Sequence, residues 1–468
     1  MADLASSIAA GDLSFFDVEA LREWVESQRW YASKSRTVTG VELVETVVLR
    51  DEPPLLFLAL LQTRFSTGTH ELYQLPLAVR PPGGEGSSDP AIAQAEDWTI
   101  CDGLIDPVCG RELLARVNAQ DTIETDDGRF CFQRANGVLE LPPEVSVRPM
   151  GVEQSNSSLV LGEELVMKVF RKLEAGTNPE LELLAFLTAR GFPNIAPLYG
   201  AYDYEGRSLS ATLGIVQRFF PDGVDGWGLA LDEITSEPQR FLERLAALGE
   251  VTAQMHNVLA SENMDPAFAP EEPSQEALSL LTATVDEDIE RVFTRLPDDE
   301  RVADIAGSGQ DVRERLSSLA QLGVGGRVIR THGDYHLGQT LYTPRGWVIL
   351  DFEGEPARPL PERRQKRSPL RDVAGMLRSF AYVSSAVEIQ RGETAPEDFE
   401  QRAREAFLER YLATVEGSLL PPGEAAVEHL LSVFELEKAV YELRYELDNR
   451  PDWVAIPVAG IRRLLETE

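Results

Sequence analysis

The segment His332-Gly-Asp-Tyr-His-Leu-Gly-Gln339, followed by Leu350-Asp-Phe-Glu353, most constrains what this chain can be. Asp334, Gln339 and Asp351 are side-chain oxygen donors brought close together in sequence, with Asp351 at the end of the apolar, strand-like run Trp347 to Leu350. Such oxygens suit a hard cation, magnesium above all. The segment is a short strand–turn–strand, Val328 to Phe352, set among helical patterns, so the host is an α+β protein and not a pure helical bundle.

Around it the organisation can be read from periodicity. Phe15 to Trp30 has helical spacing, and Thr37 to Arg50 and Leu55 to Phe65 read as strands. Pro81 to Pro90 is a turn-rich connector, Glu96 to Ala119 is helix-like, and Gly128 to Val138 is a strand pair, giving a small α+β domain over 1–140. Residues 141–222 then follow the order β-β-α-β-β. Val145 to Pro149 leads into a hairpin, Ser158 to Phe170, that turns at Gly162. Asn178 caps a helix from Glu180 to Arg190, and Ala196 to Tyr204 and Ser208 to Phe220 are strands. Residues 223–468 are mostly helical, with helices expected at Ser236–Leu259, up to Leu296, Gln310–Leu322, Leu370–Ala386, Glu397–Leu412, Pro422–Asn449 and Ala459–Glu466.

Phosphoryl transfer needs few groups: a carboxylate that takes the proton of the attacking hydroxyl, and oxygens that hold Mg²⁺ against the phosphates. Asp334 followed five residues later by Gln339 has the spacing of a kinase catalytic loop, and Asp351 stands where the second magnesium ligand belongs. Upstream, Lys168 on a strand and Glu180 or Glu182 at the next helix start can orient the α- and β-phosphates; Glu182, deeper in the first turn, is the preferred partner. No G-x-G-x-x-G precedes the lysine. Glu153-Gln-Ser-Asn-Ser-Ser158 takes its place, with Ser155, Asn156 and Ser157 as the phosphate-cradling residues.

Blander readings compete residue by residue. Lys168 and Glu182, taken singly, are a solvated strand lysine and a surface carboxylate. His332 and His336 flank Asp334 as H-x-D-x-H, a transition-metal pattern, but further imidazoles are scarce in this half; His332 is read as a structural residue holding the loop. With 44 Lys plus Arg against 78 Asp plus Glu, the net charge of −34 repels nucleic acid and anionic membrane surfaces. Three cysteines, Cys101, Cys109 and Cys131, fit neither a disulfide framework nor a zinc site, and with no signal peptide or membrane span in view a cytoplasmic location is expected.

HGDYHLGQ with Leu350-Asp-Phe-Glu-Gly-Glu-Pro356 is similar to the loop of aminoglycoside-phosphotransferase-like small-molecule kinases, and the chain more closely resembles bacterial maltokinases. The resemblance extends to Gln28-Arg-Trp-Tyr-Ala-Ser-Lys34, Val166-Met-Lys-Val-Phe-Arg171, Ser368-Pro-Leu-Arg-Asp-Val-Ala-Gly375, Glu435-Leu-Glu-Lys-Ala-Val-Tyr-Glu442 and Asn449-Arg-Pro-Asp-Trp453. It implies a bilobal kinase-like fold: an N-terminal cap (1–140), a β-rich N-lobe (141–222) and a helical C-lobe (223–468). It also implies ATP- and Mg²⁺-dependent phosphorylation of maltose to maltose 1-phosphate, for α-glucan synthesis linked to trehalose. Asp334 would be the base, Gln339 and Asp351 the metal ligands, and Lys168 with Glu182 the phosphate pair. Gln217 and Phe219 would meet adenine, Asp225 would meet ribose, and Asp372 would brace the loop. A trehalose synthase is a candidate partner, and a monomer is expected for the chain alone.

Lys438, Tyr441 and Tyr445 recur at i, i+3 and i+7 on one helix face. Aromatics with polar tips plus a long donor can line a disaccharide site together with Asp334 and Asp351, and Trp453 could close it; core packing is the competing reading of that stripe. Two other functions stay open: a related amino-sugar kinase such as a glucosamine kinase, for which Glu353 or Glu442 could receive an ammonium, and a non-catalytic nucleotide-binding protein on the same fold.

Overall fold

The computed structural model describes residues 2–10, 18–31, 33–81, 90–94, 97–135, 145–151, 156–207, 209–296, 299–317 and 326–466. The chain divides into two compact units, 1–189 with 196–221, and 190–195 with 222–468. It is an α+β protein, β-rich in the first unit and helical in the second.

The first unit holds two antiparallel sheets. β1 (Val38–Arg50), β2 (Leu55–Phe65), β3 (His70–Arg80), β4 (Ala91–Gln94) and β5 (Thr99–Asp102) are ordered β1-β2-β3-β5-β4. Leu55 to Leu61 is buried without interruption, because both faces of the sheet are covered and neither needs polar residues. On one face Leu55, Phe57, Ala59 and Leu61 join Tyr73, Leu75 and Leu77 of β3 against Leu21 and Val25 of helix Val18–Ser27. Trp30 and Tyr31, from the Gln28–Lys34 motif, complete this core.

The second sheet contains β6 (Thr122–Glu124), β7 (Gly128–Arg134), β8 (Val147–Pro149), β9 (Asn156–Leu161), β10 (Leu165–Phe170), β12 (Leu198–Gly206) and β13 (Ser210–Arg218), in the order β6-β7-β12-β13-β10-β9-β8. The short β11 (Lys172–Leu173) leaves it to pair with β3. Lys168 lies in β10 between Ser158 and Ile215, so a central strand carries it. Helix Pro179–Ala189 follows.

Two sequence expectations need correction. Glu96 to Ala119 is not one helical stretch: Thr99–Asp102 pairs with β3, and the helix begins only at Pro107, where Asp106 accepts from the Val108 amide at 2.8 Å. The helix expected over Ser236–Leu259 runs from Pro238 to Leu259, and a further helix, Gly226–Ser236, precedes it; Pro238, which lacks the N–H that continuity requires, separates the two.

In the second unit, helix Pro238–Leu259 packs on Phe399–Thr414, and Leu370–Arg391 packs on Glu424–Asn449. A small sheet, β14 (Val224–Asp225), β15 (Thr340–Thr343) and β16 (Gly346–Ile349), carries the motif segment. Buried Trp347 anchors it, donating from Nε1 to the Arg244 carbonyl at 2.7 Å. Among the described residues no helix is long and apolar enough to cross a membrane.

Candidate active site

The loop carrying Asp334 is held by one buried carboxylate. Asp372, in the first turn of helix Leu370–Arg391, accepts from the backbone N–H of His332 at 2.8 Å and of Gly333 at 2.9 Å. His256 Nε2 adds a third bond at 3.1 Å, and the His256 Nδ1 meets the Tyr411 hydroxyl at 3.0 Å. Burial alone would raise the Asp372 pKa; the His256 bond and the loop amides outweigh it and hold the carboxyl below its ordinary value. Gly333 sits at φ +86°, a left-handed turn open to glycine at little cost. Helix and loop come so close at Gly375 that a Cβ there would lie 2.6 Å from the Tyr335 carbonyl oxygen.

His332 donates from Nε2 to the Leu350 carbonyl at 2.8 Å, and its Nδ1 faces the Asp334 amide at 3.4 Å, joining the loop to the strand end that delivers Asp351. His336 caps its own turn, accepting from the Gly338 amide at 3.1 Å. Asp351 adopts φ +61°, uncommon for a residue with a side chain, and costs roughly 1 kcal/mol that the surrounding contacts sustain. That conformation brings its Oδ2 to 2.9 Å from the Gln339 amide nitrogen. The pair offers carboxylate and amide oxygens, a donor set that fits Mg²⁺.

A pocket opens in this unit beside the loop, lined by Gly333, Tyr335, Glu355, Arg358, Lys438 and Tyr441 among others. At its floor Lys438 Nζ donates to Asp334 Oδ1 at 3.1 Å and to Glu355 Oε1 at 2.9 Å. Glu355 also takes Arg358 at 2.6 Å. Burial would raise Glu355, but Lys438 and Arg358 bring its carboxyl down to about 2. Lys438 is driven well up despite its own burial, chiefly by Glu355 and then Asp334, and stays charged. Its ammonium lies 4.8 Å from the centre of the Tyr441 ring.

In the first unit, Lys168 Nζ bonds Glu180 Oε2 at 2.7 Å, with the glutamate fully buried. Asn178 fixes the helix start, its Oδ1 accepting from the Glu180 amide at 2.8 Å.

These features coincide with the comparisons to known proteins. Residues 24–106 match the maltokinase N-terminal cap domain, and residues 144–355 match the phosphotransferase enzyme family. The chain carries a maltokinase-type cap and a phosphotransferase-family domain. Curated relatives of this capped phosphotransferase include a glucosamine kinase of Streptacidiphilus jiangxiensis, 26% identical over 355 residues, covering 73% of this chain and 78% of the relative. A glucosamine kinase of Mycolicibacterium smegmatis is 28% identical over 337 residues, covering 68% and 79%. A solved structure of a glucosamine kinase with glucosamine, ADP and inorganic phosphate superposes with a TM-score of 0.70 at 19% identity, over 95% of this chain and 98% of that one. Another crystal form gives 0.72 at 20% identity, over 95% and 99%. At that identity the likeness establishes the fold of the capped phosphotransferase.

Several sequence expectations for the capped phosphotransferase need correcting. The lysine partner is Glu180, not Glu182: residues two apart in a helix face different ways, and the first of the two points at β10. Ser155 lies outside the described residues. Asn156 begins β9, and the Ser157 hydroxyl accepts from buried Arg171 at 2.8 Å, which ties that oxygen to the sheet and leaves only its O–H to donate. Gln217 is buried in β13, and the one N–H of Phe219 is spent on the Glu164 carbonyl at 2.8 Å, so that amide is not an adenine donor. Asp225 is the N-cap of helix Gly226–Ser236, accepting from Gly228 at 2.6 Å.

Of the helix stripe, Lys438 and Tyr441 line the pocket; Tyr445 and Trp453 do not. Seven residues of helix rise carry Tyr445 about 10 Å beyond Lys438, where its ring is 43% exposed and near Arg450. Trp453 stacks on Tyr382, ring centroids 6.2 Å apart. Glu442, considered as a seat for an ammonium, is bound by buried Arg378 at 2.7 Å. Glu355, Arg358 and His256 were passed over as site residues. The first two were detectable from their places just after Asp351; His256 gave no sequence signal, because its partner is 116 positions away.

Proposed function

We propose that this protein is an ATP- and Mg²⁺-dependent sugar kinase that phosphorylates the anomeric hydroxyl of maltose, giving maltose 1-phosphate and ADP. Asp334 accepts the proton of the attacking hydroxyl, and Lys438 fixes the direction of that carboxylate. Lys168, held by Glu180, receives the nucleotide phosphates. Asp351 and Gln339 would hold magnesium, which when bound would supply positive charge against the phosphates. On this reading the product feeds α-glucan synthesis in the cytoplasm, with a trehalose synthase as the partner to test.

The observation that carries the choice of a neutral sugar is the charge of the pocket. Its lining has six cationic side chains (Arg358, Arg363, Arg367, Arg371, Lys438 and Arg444) against four carboxylates. Each carboxylate is already engaged: Glu355 by Lys438 and Arg358, Glu362 by Arg358, Glu437 by Arg371, and Asp372 by the loop and His256. An ammonium brought here would be desolvated among cations with no counter-ion. The names of the curated relatives favour the second reading, an amino-sugar kinase. ADP release with Mg-ATP against maltose, glucosamine, glucose and trehalose decides between them, with ³¹P NMR assigning the phosphate position. Turnover on maltose with phosphate on the anomeric carbon supports the proposal, and turnover on glucosamine alone overturns it.

Two further outcomes are expected. Lys168→Met raises the KM for ATP by roughly tenfold or more while the sugar KM stays within about twofold, since a charge-assisted contact of 1.5–3 kcal/mol is lost. Steady-state kinetics in both substrates check this, and equal changes would remove Lys168 from the nucleotide site. Tyr441→Ala raises the sugar KM several-fold with little change for ATP; the reverse pattern would make the tyrosine a packing residue.

A further inference from the structure

The charges around the pocket floor form an alternating chain: Asp334, Lys438, Glu355, Arg358, Glu437, Arg371. Three carboxylates balance three cations. Arg367 lines the same pocket and stands outside that balance. Among the described residues its guanidinium makes one side-chain hydrogen bond, to the neutral Gln365 amide oxygen at 3.3 Å. Its backbone is fixed, paired in both directions with Ile329. Burial first, and then Arg371 and Arg358, lower its pKa to about 10, against a smaller opposing pull from Glu437 and Glu355.

Arg371 is incompletely used as well. Its Nη2 bonds Glu437 and its guanidinium lies 4.8 Å from the Phe434 ring centre, but Nη1 is buried with no hydrogen-bond partner among the described residues. A buried cationic N–H without an acceptor is costly, and an anion in the pocket would supply one. Both residues flank the start of the 22-residue helix Leu370–Arg391, whose dipole adds in the same sense. In a chain of net charge −34, Arg367 adds a guanidinium without a carboxylate partner among the described residues to a row of charges that already balances, a local surplus of positive charge.

We infer that Arg367 and Arg371 form an anion subsite in the acceptor pocket that binds a phosphate group, either inorganic phosphate or the phosphate of a hexose phosphate. The inference rests on the acceptor reading of this pocket only in one respect: bound phosphate competes with the sugar and not with ATP. Binding itself needs no turnover, so it is tested apart from the proposed reaction.

The experiment is isothermal titration calorimetry of the full chain with inorganic phosphate, glucose 6-phosphate and, as a neutral control, glucose. Wild type is expected to bind both phosphates. Arg367→Gln, which removes a side chain with a single neutral partner, should weaken them about tenfold or more and leave glucose unaffected. Arg240→Gln, removing an exposed guanidinium of the same unit, should change nothing. Tighter binding of glucose 6-phosphate than of phosphate assigns the subsite to sugar phosphates; equal binding assigns it to free phosphate. Absence of binding by either, or affinity that falls in Lys168→Met but not in Arg367→Gln, overturns the inference.

Discussion

Asp334→Asn is expected to lower kcat by about 10²- to 10⁴-fold, the usual cost of removing a positioned general base. The fold should survive, because asparagine keeps an oxygen facing Lys438 at the position of the 3.1 Å contact, and Lys438 retains Glu355 at 2.9 Å. Nucleotide affinity, read by calorimetry with Mg-ADP, should change by less than about threefold. That split is the informative part. A variant whose ADP affinity fell as far as its kcat would have lost the shape of the loop, and the assignment of Asp334 as the base would fail. No other residue on this loop offers a second base of the same reach: His332 is bonded to the Leu350 carbonyl and His336 to its own turn.

Asp372→Ala is expected to destabilise the protein by about 3–5 kcal/mol, because it leaves three buried hydrogen-bonding groups unsatisfied at roughly 1–3 kcal/mol each. The loss strands the amides of His332 and Gly333 and the His256 ring at once, and no water-sized group replaces three bonds. Urea unfolding of the variant checks the magnitude; a change below about 1 kcal/mol would show that the loop is held by other contacts. The same carboxylate predicts a pH dependence. Its folded pKa lies below the unfolded value of about 3.9, so the stability it contributes is present above that value and is lost as pH falls through the folded pKa. Wild type should therefore lose stability on the acid side below about pH 4. Asp372→Ala should show a shallower decline over that window.

The proximity of the candidate site residues was legible in the sequence where it is local. Asp334, Gln339 and Asp351 lie within one short segment, and spacing alone was enough to pair the last two, which the structure joins at 2.9 Å. Lys168 was legible as a strand lysine ahead of a helix glutamate, yet the choice between Glu180 and Glu182 was not. Both occupy the first turn, and only the packing of helix Pro179–Ala189 decides which carboxylate turns toward β10. The stripe Lys438, Tyr441, Tyr445 illustrates the same limit. Helical periodicity gives direction around the axis but not where along it a pocket ends, and the pocket ends before Tyr445.

Backbone use was equally hidden. Phe219 reads as an adenine-facing residue because it closes the last strand of the sheet, but its amide belongs to Glu164, a pairing that depends on how the chain turns before β10. Ser157 reads as a phosphate-cradling hydroxyl, and Arg171 claims it from across a strand pair.

The sequence by itself determined most of the elements and their order and singled out the candidate reacting groups, because hydrophobic period, caps and the spacing of oxygen donors are local properties. Tertiary structure decided the partners. Glu355 and Lys438, 83 positions apart, meet at the pocket beside the loop, and Asp372 reaches back 40 positions to hold that loop. Whether a carboxylate is available to a substrate or already paired depends on burial and on cations brought from distant helices. That is the property on which the choice between a neutral and a cationic sugar turns.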